Sequence, residues 1–324
     1  MATLETTMIK SFEFSKSAAV LALVGLSSLA HAEWPLRPIQ IYVGFSPGGA
    51  ADILGRALAE SMSKTLGQPV IVQNRDGASG TIATNAVAKS QANGYTLGFG
   101  PVGPLVLQPH LKHLPYKPED LTGVCQTFVN NYALAAPANT KLKSVREVVA
   151  AASAAPDGIA YGTGGIGSFP HLATIQLAQK AKVDLRAVPY RGDPPLILAL
   201  KAGEVQIGTV SVGQAQAQGL PMLGVFSPNR LPEAPGVPTM TEQGFPVVAQ
   251  LFGGLYAPKG TPPAILKALE NACQIGTKDE KYLISSKTTQ QDVVFKTAAD
   301  FSAAIAHESQ IQQKAVKSAD LKIE

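Results

Sequence analysis

The sequence contains the same kind of segment twice: a short apolar stretch, a glycine-rich turn and the start of a helical pattern. The first copy spans residues 39–53, with Gly48 and Gly49 in its turn, and the second spans residues 158–172, with its turn over 162–168. Each copy predicts a buried strand followed by a helix N-terminus, where unpaired N–H groups and the helix dipole favour an anion. We therefore expect two α/β domains that hold one small anionic ligand between them.

Apolar strand patterns and helix patterns alternate along most of the chain. Strands are predicted over residues 39–45, 70–74, 95–100, 133–136, 159–161, 185–190, 205–210, 223–226 and 253–257. Helices are predicted over residues 53–66, 80–89, 145–154, 171–180, 195–202, 262–274 and 298–317. This alternation is typical of βαβ units, so the predicted fold class is α/β with a parallel sheet.

The predicted elements form two series, and the chain passes between them near residues 135 and 250. We therefore predict that residues 135–249 form a second domain inserted into a first domain, which comprises residues 33–134 and 250–324. Two crossings give a two-segment hinge and a cleft between the domains. Ligands of open α/β sheets bind beyond the carboxyl ends of strands, and both glycine turns follow such ends.

Residues 1–32 have the pattern of a secretory signal peptide. The apolar core spans residues 18–30, and Ala30-His31-Ala32 supplies small residues for cleavage near Ala32. This core of thirteen residues is too short to span a bilayer, so we expect export rather than anchoring. Either Met1 or Met8 can be the initiator.

The charge pattern argues against a nucleic-acid partner. The net charge is +4, but lysines and arginines are scattered singly without a basic run. A modest positive charge is compatible with attraction of a small carboxylate.

Cys125 and Cys273 are the two cysteines. In an exported protein they can pair, but two cysteines set no framework, and we expect two buried thiols rather than a bridge.

A series of motifs runs through the mature chain in a fixed order. They include Trp34-Pro35-x-Arg37-Pro38-Ile39, Gly48-Gly49-x-x-Asp52-x-x-x-Arg56, Gly162-x-Gly164-x-x-Gly167-Ser168-x-x-His171-Leu172, Val188-Pro189-Tyr190-Arg191-Gly192 and Ala257-Pro258-x-Gly260-Thr261-Pro262. As a set, these motifs resemble the Bug-type substrate-binding proteins of tripartite tricarboxylate transporters. The resemblance covers essentially the whole mature chain.

The resemblance implies a periplasmic binding protein of type II, or Venus flytrap, architecture. Such a protein is expected to be a monomer without a cofactor that closes around a small carboxylate and presents it transiently to membrane permease subunits, or serves a sensory receptor. One departure lies in the second domain, where Val205 is followed by Gln206 instead of the family's usual aspartate. We expect this difference in the second-domain side of the cleft to affect ligand specificity more than the fold.

The first glycine turn is the main candidate for ligand binding, because glycines and alanines let the ligand approach the backbone closely. Asp52 is a poor anion ligand, and we assign it a supporting role in the first helical turn, paired with Arg56 four residues later. The neighbouring turns are expected to form the side of the cleft. The predicted first-domain ligand residues are Phe45, Pro47, Gly48, Gly49, Ala50, Ala51, Ser79 and Gly103.

The second glycine turn matches G-x-G-x-x-G, a pattern that also occurs in dinucleotide-binding sites. That reading requires an acidic residue at the end of the next strand, where Tyr190-Arg191 stands instead, so a carboxylate site is favoured. Asp193 is the acidic candidate for a ligand ammonium group. The predicted ligand residues are Thr163, Gly164, Gly167, Ser168, Arg191 and Ser211, with His171 and Tyr190 in supporting roles.

The sequence disfavours two alternatives, a serine hydrolase and a metal site. The pair of Ser168 and His171 suggests a hydrolase. The sequence, however, has no G-x-S-x-G motif and no evident third residue to orient the histidine. His110 and His113 are spaced for a metal but have no cysteine or carboxylate partner, so no metal site is predicted.

Overall fold

The structure is a computed structural model, and it describes residues 34–155, 158–190 and 192–319. The fold described below is that of the compact unit that begins at Arg37. The predicted signal peptide at residues 1–32 and its cleavage near Ala32 lie outside the described residues. Within the described ranges, no helix is long and apolar enough to cross a membrane.

The strands in chain order are β1 (Ile39–Val43), β2 (Val70–Asn74), β3 (Thr96–Pro101), β4 (Leu121–Ala135), β5 (Ile159–Thr163), β6 (Leu185–Pro189), β7 (Ile207–Ser211), β8 (Met222–Val225), β9 (Gln250–Pro258) and β10 (Asp292–Lys296). The α-helices are α1 (Ala50–Leu66), α2 (Thr81–Ala88), α3 (Gly103–Val106), α4 (Gln108–Leu111), α5 (Val145–Ala154), α6 (Phe169–Ala181), α7 (Asp193–Ala202), α8 (Val212–Ala217), α9 (Pro263–Gly276), α10 (Glu280–Thr289) and α11 (Ala298–Ser318).

The first sheet segment contains parallel strands in the order β2-β1-β3. Ile39, Ile41 and Val43 of β1 lie on one face of the strand and are fully buried. Helix α1 packs beside this segment through Leu54, Leu58 and Met62, which recur at helical spacing on one face. Gly67 ends α1 in the left-handed conformation that glycine adopts without strain.

The second sheet segment contains parallel strands in the order β7-β5-β6. Helices α6 and α7 connect these strands, so each connection is a βαβ unit. Ser168 caps α6 with its side chain, and Gly203 ends α7 in the left-handed conformation. Both segments therefore place a glycine turn after a buried strand and before a helix.

Two long antiparallel strands connect the segments. Strand β4 pairs with β9 from Leu121 to Asn131 and with β7 from Tyr132 to Ala135. Strand β9 also pairs with β3, which completes the order β2-β1-β3-β9-β4-β7-β5-β6. The predicted boundaries near residues 135 and 250 fall at the end of β4 and the start of β9, and the division into domains at those residues stays a proposal.

The prediction of a parallel sheet holds within each segment and is wrong where the segments join. Strands β4 and β9 are antiparallel to their neighbours. The predicted strand at residues 133–136 is the last part of β4, whose earlier residues are buried almost continuously and show no alternation. Residues 275–294, which the motifs left without an assignment, form α10 and most of β10.

The expectation of two free thiols is also wrong. Cys125 of β4 and Cys273 of α9 form a disulfide, and both residues are fully buried. They are 148 residues apart in sequence, so only the three-dimensional packing of α9 against β4 brings them together. The bridge ties the C-terminal helices to one of the two connecting strands.

Candidate functional site

The first glycine turn folds back on its own helix. Gly48 adopts a positive φ of 78°, and its N–H donates to Oδ2 of Asp52 at 2.9 Å. Gly49 is the N-cap residue of α1 and has no side chain to cap the first turn. Because the first N–H groups of a helix have no intrahelical acceptor, those of Ala50 and Ala51 are the donors that this turn offers to a ligand.

Asp52 is the centre of a polar network under that turn. Its carboxylate accepts from Nε of Arg56 at 3.1 Å and from Nδ2 of Asn74 at 2.8 Å. Asn74 also donates to the carbonyl of Phe45 at 3.0 Å, so β2 and the turn are joined. Burial raises the pKa of Asp52, but hydrogen bonds from Arg56, Gly48 and Asn74 together hold that pKa below its ordinary value.

The second glycine turn is held by hydrogen bonds among its own residues. The Ser168 hydroxyl donates to the carbonyl of Gly165 at 2.7 Å and accepts from the N–H of His171 at 3.4 Å. Thr163 Oγ1 donates to the same Gly165 carbonyl at 3.4 Å. The N–H of Gly192 donates to Gly164 at 3.1 Å, so the turn is also joined to the residue before α7.

His171 lies beneath this turn and is 3% exposed. Its Nδ1 accepts the N–H of Gly167 at 3.0 Å, and its ring stacks on Tyr161 of β5 with centroids 6.3 Å apart. Burial lowers the pKa of His171. The side chain therefore supports the turn from below.

The two segments enclose a cavity of about 550 Å³. Six residues predicted from the sequence line it: Phe45, Ser79, Gly103, Gly164, Gly167 and Ser168. The cavity thus has residues of both segments in its walls. Residues of both connecting strands, Asn130 and Tyr132 of β4 and Leu251 of β9, also line it.

Other predicted residues lie outside the lining of this cavity in the structure: Pro47, Gly48, Gly49, Ala50, Ala51, Thr163, Ser211 and the supporting Tyr190. Ser211 still contacts the site, because its N–H donates to the lining residue Asp193. Arg191 lies outside the described residues. The ligand role of each predicted residue stays a prediction.

Several lining residues were not predicted from the sequence. Besides Asn130, Tyr132 and Leu251, they are Pro101, Leu107, Gln108, Lys112, Phe169 and Pro170. Four further lining residues, Pro104, Gly165, Ile166 and Gly192, lie in turns that were expected at the cleft, and Asp193 was noted only as a partner for an ammonium group. Pro101 to Lys112 follow the carboxyl end of β3, and that position was the available signal.

One acidic and one basic side chain stand among the described lining residues, Asp193 and Lys112. Asp193 begins α7, and burial raises its pKa while hydrogen bonds from Ser211 oppose the rise. Burial, and to a lesser degree the charge of Asp193, raise the pKa of the Tyr132 hydroxyl as well. Both groups therefore lie in a poorly solvated wall, where interactions between charges are stronger than in water.

A larger cavity of about 720 Å³ contains no residue of either glycine turn. It is lined by residues of α8, α10 and β10 and by Glu233. We favour the smaller cavity as the functional site, because the second glycine turn and the N-terminus of α6 line it and Phe45, which precedes the first glycine turn, also reaches it. Ligands of α/β sheets bind at such positions.

The geometry of Ser168 and His171 differs from that of a nucleophile and its base. The Ser168 hydroxyl donates to a backbone carbonyl, and Nδ1 of His171 is occupied by the N–H of Gly167. A catalytic serine needs its hydroxyl within hydrogen-bond reach of an accepting base nitrogen. In this structure, the two side chains shape the turn.

His110 is likewise engaged in a protein contact, since its Nε2 is 2.9 Å from the hydroxyl of Ser309 on α11. In the described ranges, no group of three or more histidine, cysteine, aspartate or glutamate side chains is arranged to hold a metal ion.

Two sheet segments, two connecting strands and a cavity lined by residues of both segments define the α/β architecture of a type II periplasmic binding protein. A family model described as "Tripartite tricarboxylate transporter family receptor" matches residues 54–321. The chain belongs to this family of solute-binding receptors, and the Bug-type resemblance predicted from the motifs is confirmed.

Individual relatives agree with this assignment. Protein BugT of Bordetella pertussis is 36% identical over 260 residues, which cover 77% of this chain and 79% of BugT. A ligand-free TctC solute-binding protein from Polaromonas superposes with a TM-score of 0.81 at 28% identity, covering 88% of this chain and 99% of that one.

Two similar structures contain small dicarboxylates. Rpa4515 of R. palustris, solved with adipate, has a TM-score of 0.73 and 27% identity, with 90% of this chain and 99% of that one covered. MatC from Rhodopseudomonas palustris, solved with bound malate, has a TM-score of 0.71 and 26% identity, with 87% and 100% covered. The predicted type II fold is thereby confirmed.

Proposed function

We propose that this protein is an exported, periplasmic solute-binding protein that captures a small carboxylate in the cavity between its two sheet segments. The observation that carries the proposal is the cavity of about 550 Å³, which has Ser79 and Gly103 in one wall and Gly164, Gly167 and Ser168 in another. Its size suits a small organic acid.

The chemistry of the walls supports an anionic ligand. The turn at residues 164–168 precedes the N-terminus of α6, where a carboxylate gains from backbone dipoles. Lys112 adds a positive charge. The related proteins solved with malate and adipate make dicarboxylates the first compounds to test on this chain.

The first glycine turn enters the proposal through closure of the cleft. Gly48, Gly49, Ala50 and Ala51 do not line the cavity in the structure. Bending at β4 and β9 would bring the N–H groups of Ala50 and Ala51 toward a ligand already held by the second turn, as hinge closure does in binding proteins. Asp52 and Arg56 would keep that helix end in position.

The capture step is tested by calorimetry on the purified mature chain with malate, adipate and the neutral diamide of malate. Dicarboxylates should bind and the diamide should not. A ligand at a hundred times its Kd should also stabilise the protein by about 2.7 kcal/mol. Failure of every carboxylate to bind would overturn the proposal.

A matched pair of variants locates the site. Ser168→Ala removes a hydroxyl from the cavity wall and should raise the Kd for a bound dicarboxylate several-fold. Ser153→Ala is the control, because Ser153 lies exposed on α5 and donates only to the carbonyl of Val149. Equal Kd values for the two variants would place the ligand elsewhere.

We propose further that the captured acid is delivered to permease subunits of the tripartite tricarboxylate type, which rests on family membership. Cells that keep the permease but lack this protein should lose uptake of the bound acid, and the wild-type gene should restore it. Uptake that is unchanged by the deletion would favour a sensory role over transport.

A further inference from the structure

His171 contacts the binding turn through a hydrogen bond whose direction is fixed by chemistry. The N–H of Gly167 is 3.0 Å from Nδ1 of His171, and a backbone N–H can only donate. Nδ1 must therefore accept, which requires that it carry no proton. The bonded imidazole is consequently the neutral form with its proton on Nε2.

The residue that donates this bond is part of the cavity wall, whereas the acceptor His171 is not. Gly167 lines the cavity, has a positive φ of 71° and immediately precedes the helix cap Ser168. The bond from Gly167 thus fixes one peptide unit of a turn that lines the cavity. A change at His171 reaches the ligand only through this turn.

Burial alone lowers the pKa of His171, with no charged group among the described residues opposing it, although α11, which packs against α6, carries Glu308, Lys314 and Lys317. Tyr161 of β5 stacks on the ring, and burial raises the pKa of that phenol to about 12, so it stays neutral. The residues of β7 and of the turn itself have no titratable side chains. Asp193 and Lys112 are the charged side chains in the described part of the cavity wall, and Arg191 lies outside the described residues.

We propose that His171 is a positioning residue whose neutral imidazole holds the turn at residues 164–168 in its ligand-binding shape, so that protonation of the ring weakens carboxylate binding. This inference rests on the proposed function for its effect on affinity. Its structural part, the neutral ring bonded to Gly167, stands without any ligand. Ligand release would then be favoured as the surroundings become acidic.

The affinity test compares wild type with His171→Asn, using malate as the probe across pH 5 to 8. The oxygen of asparagine is attached to Cγ, as Nδ1 is in histidine, so it can accept the Gly167 N–H at every pH. The wild-type Kd should rise below the ordinary histidine pKa of 6.5, by up to about tenfold for each pH unit below the pKa of His171.

The ratio of the two Kd values at each pH isolates the histidine. Protonation of malate and of Asp193 affects both proteins equally and cancels in the ratio. The ratio of wild-type to variant Kd should therefore increase as pH falls. A ratio that is constant from pH 8 to pH 5 would overturn the proposal.

A ligand-free measurement keeps the inference separate from the proposed function. Nitrogen NMR of the wild-type protein should show His171 with an unprotonated Nδ1 above pH 7. Exchange of the Gly167 amide should accelerate relative to the Leu172 amide, which bonds the Ser168 carbonyl, as His171 becomes protonated. If malate does not bind but these signals appear, the positioning role stands and the ligand assignment fails. A proton on Nδ1 above pH 7 overturns the positioning role itself.

Discussion

The carboxylate of Asp193 accepts the N–H of Ser211 at 3.1 Å, which joins the start of α7 to the end of β7 in the wall of the cavity. A negative side chain in a proposed carboxylate site must repel part of its ligand unless the facing group is a donor. The hydroxyl of malate is such a donor, and the methylene chain of adipate is not.

Asp193→Asn should therefore change selectivity. The variant keeps an acceptor for Ser211 and removes the charge, so at pH 7.5 adipate should bind several-fold more tightly while malate gains less. Calorimetric Kd values for both acids measure the change. Weaker binding of both acids by the variant would contradict a repulsive role for the Asp193 carboxylate.

The buried disulfide should be a major source of stability. Bridging residues 148 apart removes conformational entropy from the unfolded chain, which by the chain-entropy relation corresponds to about 5 kcal/mol. The double variant Cys125→Ala/Cys273→Ala should unfold at much lower urea concentration than the oxidised wild type. Reductant should lower the wild-type midpoint and leave the double variant unchanged, and a wild-type midpoint insensitive to reductant would contradict the bridge.

Asp52 should stabilise the fold in a pH-dependent way. Its pKa is held below the ordinary 3.8, so the ionised carboxylate contributes fully above that value and its contribution is lost as pH falls through the lowered folded-state pKa. Asp52→Asn should cost about 1–2 kcal/mol of unfolding free energy at pH 7. Urea titrations at pH 7 and pH 3 should show this difference shrinking at the lower pH. Asp76→Asn, on an exposed residue, should cost less than about 0.5 kcal/mol.

Gly162 has a packing role, although its motif was first considered as a ligand-binding pattern. It is the first glycine of the G-x-G-x-x-G match, yet a Cβ there would lie 2.1 Å from Cδ1 of Leu196 and 3.3 Å from Cγ2 of Val205. The glycine lets α7 pack on β5. Gly162→Ala should therefore destabilise the protein by about 1–3 kcal/mol through overpacking. Gly236→Ala, with open space around the Cβ, is the control and should change the unfolding midpoint little.

Helices and strands were predictable where their own residues carry the apolar spacing and the turn or capping signal. Strand β2 and helix α5 have the predicted bounds, because a proline or serine precedes each and the apolar spacing is regular. Strand β10 was missed, since it is stabilised by pairing of Asp292 with Val129, which is far away in sequence.

The site was predictable to a similar extent. Glycine-rich turns are recognisable in a sequence, so Gly164, Gly167 and Ser168 could be proposed without a structure. Tyr132 and Leu251 reach the cavity only because β4 and β9 run antiparallel between the segments. That arrangement depends on long-range pairing, which single-residue patterns do not encode.

Lys112 is the positive side chain among the described residues of the cavity wall, and it should contribute to affinity by its charge. Lys112→Gln keeps most of the side-chain length and removes the charge. The loss of one partly buried charge-assisted contact is expected to cost about 1.4 kcal/mol, which corresponds to about tenfold in Kd. The dependence of malate binding on salt should also weaken, since one screened attraction is gone. Lys117→Gln is the matched control, because Lys117 is exposed nearby in sequence and does not line the cavity. If both variants lower the affinity equally, the effect of Lys112 comes from the general positive charge of the protein and not from a contact in the cavity.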